Sequence, residues 1–90
     1  MEGRTPLMGA AYSNSSELIE LFLSKGLELI QKDNKKRTIL MFAAAGGAKQ
    51  SAEFILSQDI INVEDKDYQG ESALVYAVKA GSVGVSKFLL

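Results

Sequence analysis

The densest cluster of oxygen-bearing side chains is Asp65-Lys66-Asp67-Tyr68-Gln69-Gly70. Oxygens at the first, third and fifth places with glycine at the sixth form the first half of a calcium-binding loop. The twelfth place would be Tyr76, where a bidentate glutamate is required. The residues after Gly70 also read as a helix that begins too early for such a loop. The stretch is better read as a connecting loop, and no metal or other cofactor is expected. Gly81-Ser82-Val83-Gly84 has neither the spacing nor the lysine of a phosphate-binding loop. Gly70-Glu71-Ser72 is no nucleophile elbow, because the chain has no histidine to activate Ser72. Asn14-Ser15-Ser16 matches a glycosylation acceptor, a triplet common by chance, and no secretion signal precedes it. Glu17 and Glu20 remain as a carboxylate pair, but an acidic first turn is explained by the helix dipole alone.

Composition closes most other routes to catalysis. Without cysteine or histidine there is no thiol nucleophile, no thiolate or imidazole metal site and no Ser-His-Asp triad. A small stand-alone enzyme is therefore not expected. The formal charge is −1, from ten basic and eleven acidic residues, which gives no global reason to seek nucleic acid or an anionic membrane. At 47% apolar and 23% charged, the chain has the composition of a globular domain. The longest run without a polar residue, Ile39 to Ala48, is about half of the ~20 residues a membrane helix needs. A cytoplasmic location is expected, with the nucleus as the alternative.

The elements that position these residues come as a repeat. Thr5-Pro6-Leu7-Met8-Gly9-Ala10-Ala11, Thr38-Ile39-Leu40-Met41-Phe42-Ala43-Ala44 and Ser72-Ala73-Leu74-Val75-Tyr76-Ala77-Val78 align at spacings of 33 and 34 residues. A hydroxyl residue opens each, leucine is third and alanine sixth. Asn14, Gly47 and Gly81 align after them, and Asp33 and Asp67 precede the later two. Thr5, Thr38 and Ser72 are predicted helix N-caps, whose side-chain oxygens accept orphan backbone N–H groups. Pro6 suits the first helical position. Leu7, Ala10 and Ala11 share one face, and the small alanines let a neighbouring helix approach. Asn14, Gly47 and Gly81 supply the left-handed residue that ends a helix. A second helix follows each turn, the richest holding Leu18, Ile19, Leu21, Phe22 and Leu23, with Lys25-Gly26 as its stop. Such helix-turn-helix units bury their apolar faces only by stacking.

This pattern resembles the ankyrin repeat. Gly3-Arg4-Thr5-Pro6-Leu7-Met8-Gly9-Ala10-Ala11 is similar to the family's Gly-x-Thr-Pro-Leu-His-x-Ala-Ala opening. Asp67-Tyr68-Gln69-Gly70-Glu71-Ser72 resembles its Asp-x-x-Gly-x-Thr lead-in, and Glu17 to Gly26 its second helix and stop. The resemblance covers nearly the whole chain. It implies an all-α solenoid of stacked helix-turn-helix units joined by loops or short hairpins. The units expected are residues 1–32, 33–66 and 67–90, the last incomplete. Two departures carry expectations. Met8, Met41 and Val75 replace the family histidine, so one side-chain hydrogen bond per repeat is expected to be missing. Lys36 replaces a turn glycine, so its loop is expected to differ. The extra residue of the second unit is placed between Gln58 and Val63.

What the resemblance implies about function is protein binding through loop tips and the exposed side of each first helix. The loop-tip positions are Arg4, then Asn34, Lys35 and Arg37, then Tyr68, Gln69 and Glu71. The helix positions are Gly9, Phe42 and Tyr76, then Tyr12, Ala45 and Lys79. Expected contact residues are Arg4, Tyr12, Lys35, Arg37, Phe42, Tyr68, Gln69, Glu71, Tyr76 and Lys79. Lys35-Lys36-Arg37, the one basic run, reads either as a solvated loop tip or as a contact for an acidic partner. Phe42 and Tyr76 read either as an anchoring pair or as a cover for the helix–loop junction. As an anchor, Phe42→Ala would weaken binding more than folding. The expected partner is another protein, not nucleic acid or membrane. The alternative is a regulatory or targeting segment of a larger protein, with further repeats of the same chain. Leu89 and Leu90 give the last unit an apolar end where a terminal repeat is normally polar. Native downstream sequence is therefore expected to raise the melting temperature, and an unchanged melt on extension would mark a true end.

Overall fold

A computed structural model describes residues 5–90 of the chain. Six short helices account for its regular structure: α1 (Pro6–Tyr12), α2 (Ser16–Ser24), α3 (Ile39–Ala45), α4 (Lys49–Ser57), α5 (Ala73–Lys79) and α6 (Val83–Leu89). No strand occurs among the described residues. The first helix of each unit packs beside the next, α1 on α3 on α5. The second helices α2, α4 and α6 form the other layer. The core runs along the stack between the layers. Leu7, Ile19, Leu40, Ile55 and Val85 are fully buried in it, and Ala43, Ala44, Ala52 and Ala77 sit where helices touch. Leu18 and Leu21, on the apolar-rich second helix, face outward instead.

Thr5 and Thr38 cap α1 and α3 as their type and position require. The Met8 N–H donates to Thr5 Oγ1 at 3.4 Å, and the Met41 N–H to Thr38 Oγ1 at 3.3 Å. The expected loss of a second bond is corrected here. The Thr5 N–H donates to Met8 Sδ, and the Thr38 N–H to Met41 Sδ, both at 3.4 Å. A thioether is a weak acceptor on a flexible stem, so it closes the reciprocal capping box that a stronger acceptor ordinarily completes. Val75 has no heteroatom to do the same. Ser72 makes no side-chain cap bond at α5, contrary to the expectation for it.

Asn14, Gly47 and Gly81 all have positive φ, at 59°, 66° and 71°. Lys36 does too, at 60°, so its loop keeps the shape of the one holding Gly70, and the expected difference is absent. The Lys36 N–H donates to the Asp33 carbonyl, and the Gly70 N–H to the Asp67 carbonyl, both at 3.0 Å. A left-handed lysine carries a strain of about 1–2 kcal/mol that glycine avoids. Asp59 adopts positive φ 33 residues after Gly26, and the turn at Leu29-Ile30 recurs at Val63-Glu64. The inserted residue thus falls within 60–62.

One cap crosses between units. Ser15 and Ser82 cap α2 and α6, but the equivalent Ala48 has no side chain to cap α4. The Ser51 N–H of α4 donates instead to Asn14 Oδ1 at 3.2 Å. Asn14 thus makes its own turn and caps the neighbouring unit's helix. Asn14→Gly keeps the turn but loses the cap, and is expected to destabilise the chain by about 1 kcal/mol. Adding Ala48→Ser should restore most of that. Urea unfolding of the single and double variants measures both values.

Candidate functional site

The two interior loop tips are built on buried aspartates. Asp33 Oδ1 accepts the Lys35 and Arg37 backbone N–H groups at 3.0 and 2.8 Å. Asp67 Oδ1 accepts those of Gln69 and Glu71, both at 2.9 Å. Short polar side chains that bond their own backbone two residues on are the usual way to hold such a turn. The Tyr68 N–H then donates to the Lys35 carbonyl at 3.0 Å, tying one tip to the next. Asp67 therefore uses its oxygens for turn and side-chain donors.

The second oxygen of each aspartate takes a different partner. Arg37 Nε lies 2.6 Å from Asp33 Oδ2, and its guanidinium sits 4.9 Å above the centre of the Phe42 ring. That is cation–π geometry, with the salt bridge holding the cation in place. In the next unit Tyr76 stands where Phe42 does, and its hydroxyl donates to Asp67 Oδ2. Burial pushes the Asp33 carboxyl up, but the Arg37 and Lys35 N–H groups and the Arg37 guanidinium outweigh it, so its pKa lies below the ordinary value. Burial likewise opposes ionisation of Asp67, and the Tyr76 hydroxyl with the Glu71 and Gln69 N–H groups again lowers its pKa. Burial, and then the Asp67 carboxylate, raise the Tyr76 phenol above its ordinary value of 10.0.

A carboxylate whose pKa is lower folded than unfolded adds stability above its unfolded pKa, and that contribution is lost as pH falls. Wild-type stability should therefore drop from about pH 4 downward. Asp67→Asn should be less stable at neutral pH and show a shallower acid limb. Urea midpoints across that pH range, for both proteins, check the difference in slope.

The structure brings four of the expected contact residues together. Tyr12, Arg37, Phe42 and Tyr76 border one cleft of about 400 Å³ that crosses all three units on the α1–α3–α5 side. Tyr12 is 55% exposed at its edge, whereas Phe42 is only 7% exposed. Truncating Phe42 therefore removes core packing as well as cleft surface, and cannot by itself separate binding from folding. Of the other expected residues, Lys35, Tyr68, Gln69 and Glu71 lie on the loop tips and Lys79 ends α5, and none of these lines the cleft. Lys35 joins the tips through its carbonyl, Tyr68 is exposed, and Gln69 holds the turn through its backbone. Glu71 and Lys79 form an ion pair at 2.6 Å. Arg4 lies outside the described residues. Met8 and Met41, which also line the cleft, were not among the expected contact residues. Their place in the family histidine column was the available signal. No group of three or more potential metal ligands occurs among the described residues.

A family model described as ankyrin repeats, in three copies, matches residues 7–90. The chain is 37% identical over 93 aligned residues to human transient receptor potential cation channel subfamily A member 1, covering 99% of this chain and 8% of that protein. It is 32% identical over 80 residues to mouse NF-kappa-B inhibitor delta, covering 88% of this chain and 24% of that protein. Among solved structures, the crystal structure of the human ASB11 ankyrin repeat domain superposes with a TM-score of 0.86 at 22% identity. That match covers 96% of this chain and 38% of that one. The chain thus spans a small part of these relatives.

Proposed function

The chain belongs to the ankyrin-repeat family, and on that footing we propose that it is a protein-interaction module that takes its partner on the α1–α3–α5 face and loop tips. Ankyrin repeats in general bind other proteins, and this fold is generally a binding scaffold without catalysis. The observation that carries the reading is the cleft. Two tyrosines, a phenylalanine and an arginine from three units meet there, on elements fixed by caps and buried aspartates. Tyrosine and arginine are enriched at the energetic centres of interfaces. No catalytic step is assigned to these residues, in keeping with the missing histidine and cysteine.

A second reading, compatible with the first, makes the chain a regulatory or targeting segment of a longer protein. The small shares of the relatives that it covers favour this. So does the outer face of the third unit. Ala11 and Ala44 are fully buried, yet the aligned Val78 is 63% exposed, beside exposed Val83 and Leu90. A further repeat would cover them. No helix among the described residues is long and apolar enough to cross a membrane. A protein partner, rather than nucleic acid or lipid, fits the near-neutral charge.

Affinity capture with wild-type and Tyr12→Ala repeats, followed by mass spectrometry, tests the first reading. Tyr12 is exposed enough that its truncation should leave the melt unchanged. Loss of the captured partner from the variant supports the assignment. A partner set indifferent to Tyr12→Ala, or capture of nothing but the chain itself, overturns it.

A further inference from the structure

Of the three tyrosines, Tyr68 alone lies outside a helix. It is 57% exposed on the tip between α4 and α5, and its hydroxyl makes no hydrogen bond among the described residues. The Tyr76 hydroxyl is committed to Asp67, and Tyr12 sits in the last turn of α1. The sequence around Tyr68 is acidic. Glu64, Asp65 and Asp67 stand four, three and one residues before it, interrupted by Lys66, and Glu71 stands three after. The four residues before Tyr12, and the four before Tyr76, carry no charge.

The bonds that close this tip converge on one residue. Asp67 Oδ1 accepts the Gln69 and Glu71 N–H groups, and its carbonyl accepts that of Gly70. Its own N–H donates to the Glu71 carbonyl, and Oδ2 accepts the Tyr76 hydroxyl. The Tyr68 N–H adds the bond to the Lys35 carbonyl. The tip before α3 is braced further, because α3 begins with the Thr38–Met41 capping box. Ser72 makes no such bond at α5. The tip that carries Tyr68 is therefore the easier of the two to open while the core stays packed.

We infer that Tyr68 is a phosphorylation site for a tyrosine kinase that selects acidic residues before its target, and that the tip opens to be read. Tyr68 Oη forms a bond to the γ-phosphorus of ATP, and the bond to the β–γ bridging oxygen breaks. ADP leaves, and the phenol proton passes to the kinase's own base. A kinase holds the residues around its target in an extended form, which the closed tip does not have. Releasing Asp67 frees the backbone on both sides of Tyr68. It also presents, directly before the tyrosine, a carboxylate that is buried while the tip is closed. Asp67 is thus the latch of the closed tip and part of the recognition sequence of the open one. The phosphate adds about −1.5 to −2 charges at neutral pH, on a ring that faces solvent. It changes the surface offered to a partner and leaves the core as it is. The assignment stands apart from the protein-binding reading above.

Incubation of the whole chain with magnesium, ATP and a recombinant tyrosine kinase of acidic peptide selectivity, followed by mass-spectrometric mapping, tests it. One phosphate on Tyr68 is expected, and none on Tyr68→Phe. Tyr12 and Tyr76, which lack acidic residues before them, should be modified roughly tenfold less. Glu64→Gln with Asp65→Asn leaves the latch in place and should slow incorporation roughly threefold or more. Ser72→Thr with Val75→Met gives α5 the capping residues of α1 and α3. That pair should slow modification of the folded chain by a similar factor. It should leave a synthetic peptide of residues 60–76 modified at the wild-type peptide's rate. Absence of phosphate at Tyr68, label spread evenly over the three tyrosines, or a rate indifferent to the Glu64 and Asp65 changes overturns the assignment. Phosphate at Tyr68 at a rate unmoved by the added capping residues overturns the opening step.

Discussion

Gly46→Ala is expected to be among the most damaging single-atom additions the chain can suffer. Gly46 ends α3 with φ −87° and ψ −1°, a conformation open to any residue, so backbone freedom does not explain it. Contact does. A Cβ built there lies 2.2 Å from the Tyr12 carbonyl oxygen and 3.0 Å from its carbon. Both atoms are backbone, so no rotamer can move them aside. To accept the methyl group, α1 and α3 must separate, and the alanine contacts between them loosen with it. Overpacking in a close-packed interior typically costs 1–3 kcal/mol, and a backbone obstacle places this case at about 3. The urea midpoint should fall without a change of slope. A midpoint within error of wild type would show that the first unit is not held against the second by this approach. Gly9→Ala offers the internal comparison, since the same substitution on the same layer meets open space.

Leu40→Ala should be of similar or greater size. Leu40 is 1% exposed on the middle helix of the layer, with α1 on one side and α5 on the other. Its truncation removes buried hydrocarbon and leaves a cavity walled from both sides, for about 2–5 kcal/mol. Single domains hold roughly 5–15 kcal/mol in total, so the variant should be marginal. Circular dichroism during thermal unfolding would show a large fall in the midpoint. A loss below about 1 kcal/mol would mean that the stack closes over the cavity.

The contrast between these two positions shows what was legible in the sequence. Leu40 is the second residue after a hydroxyl cap in a pattern that recurs, and its burial follows from helical period alone. The threonine caps and the left-handed residues at Asn14, Gly47 and Gly81 were equally readable, because each answers to a local backbone requirement. Gly46 was not, since its reason is the carbonyl of a residue in another unit. The same holds for Asn14 as a cap for α4: only the stack places its amide over an end that Ala48 leaves open. Met8 and Met41 misled because residue type predicted no acceptor, while geometry put a sulfur where one was needed. Lys36 misled in the opposite sense, keeping glycine's conformation without being glycine. In the cleft, Tyr12, Arg37, Phe42 and Tyr76 were legible as a surface. That Phe42 lies beneath Arg37, while Tyr76 is tied to Asp67, depends on which side chain reaches the second oxygen of each aspartate.

The bond from Ser51 to Asn14 also sets how the chain opens over time. A linkage between two units lowers the free energy of both by the same amount, so breaking either unit exposes the other. If the first pair of helices unfolds transiently, the Ser51 amide of α4 loses its acceptor in the same event. Its exchange with deuterated solvent should therefore follow the opening of α1 and α2. In Asn14→Gly, that shared clock would come apart.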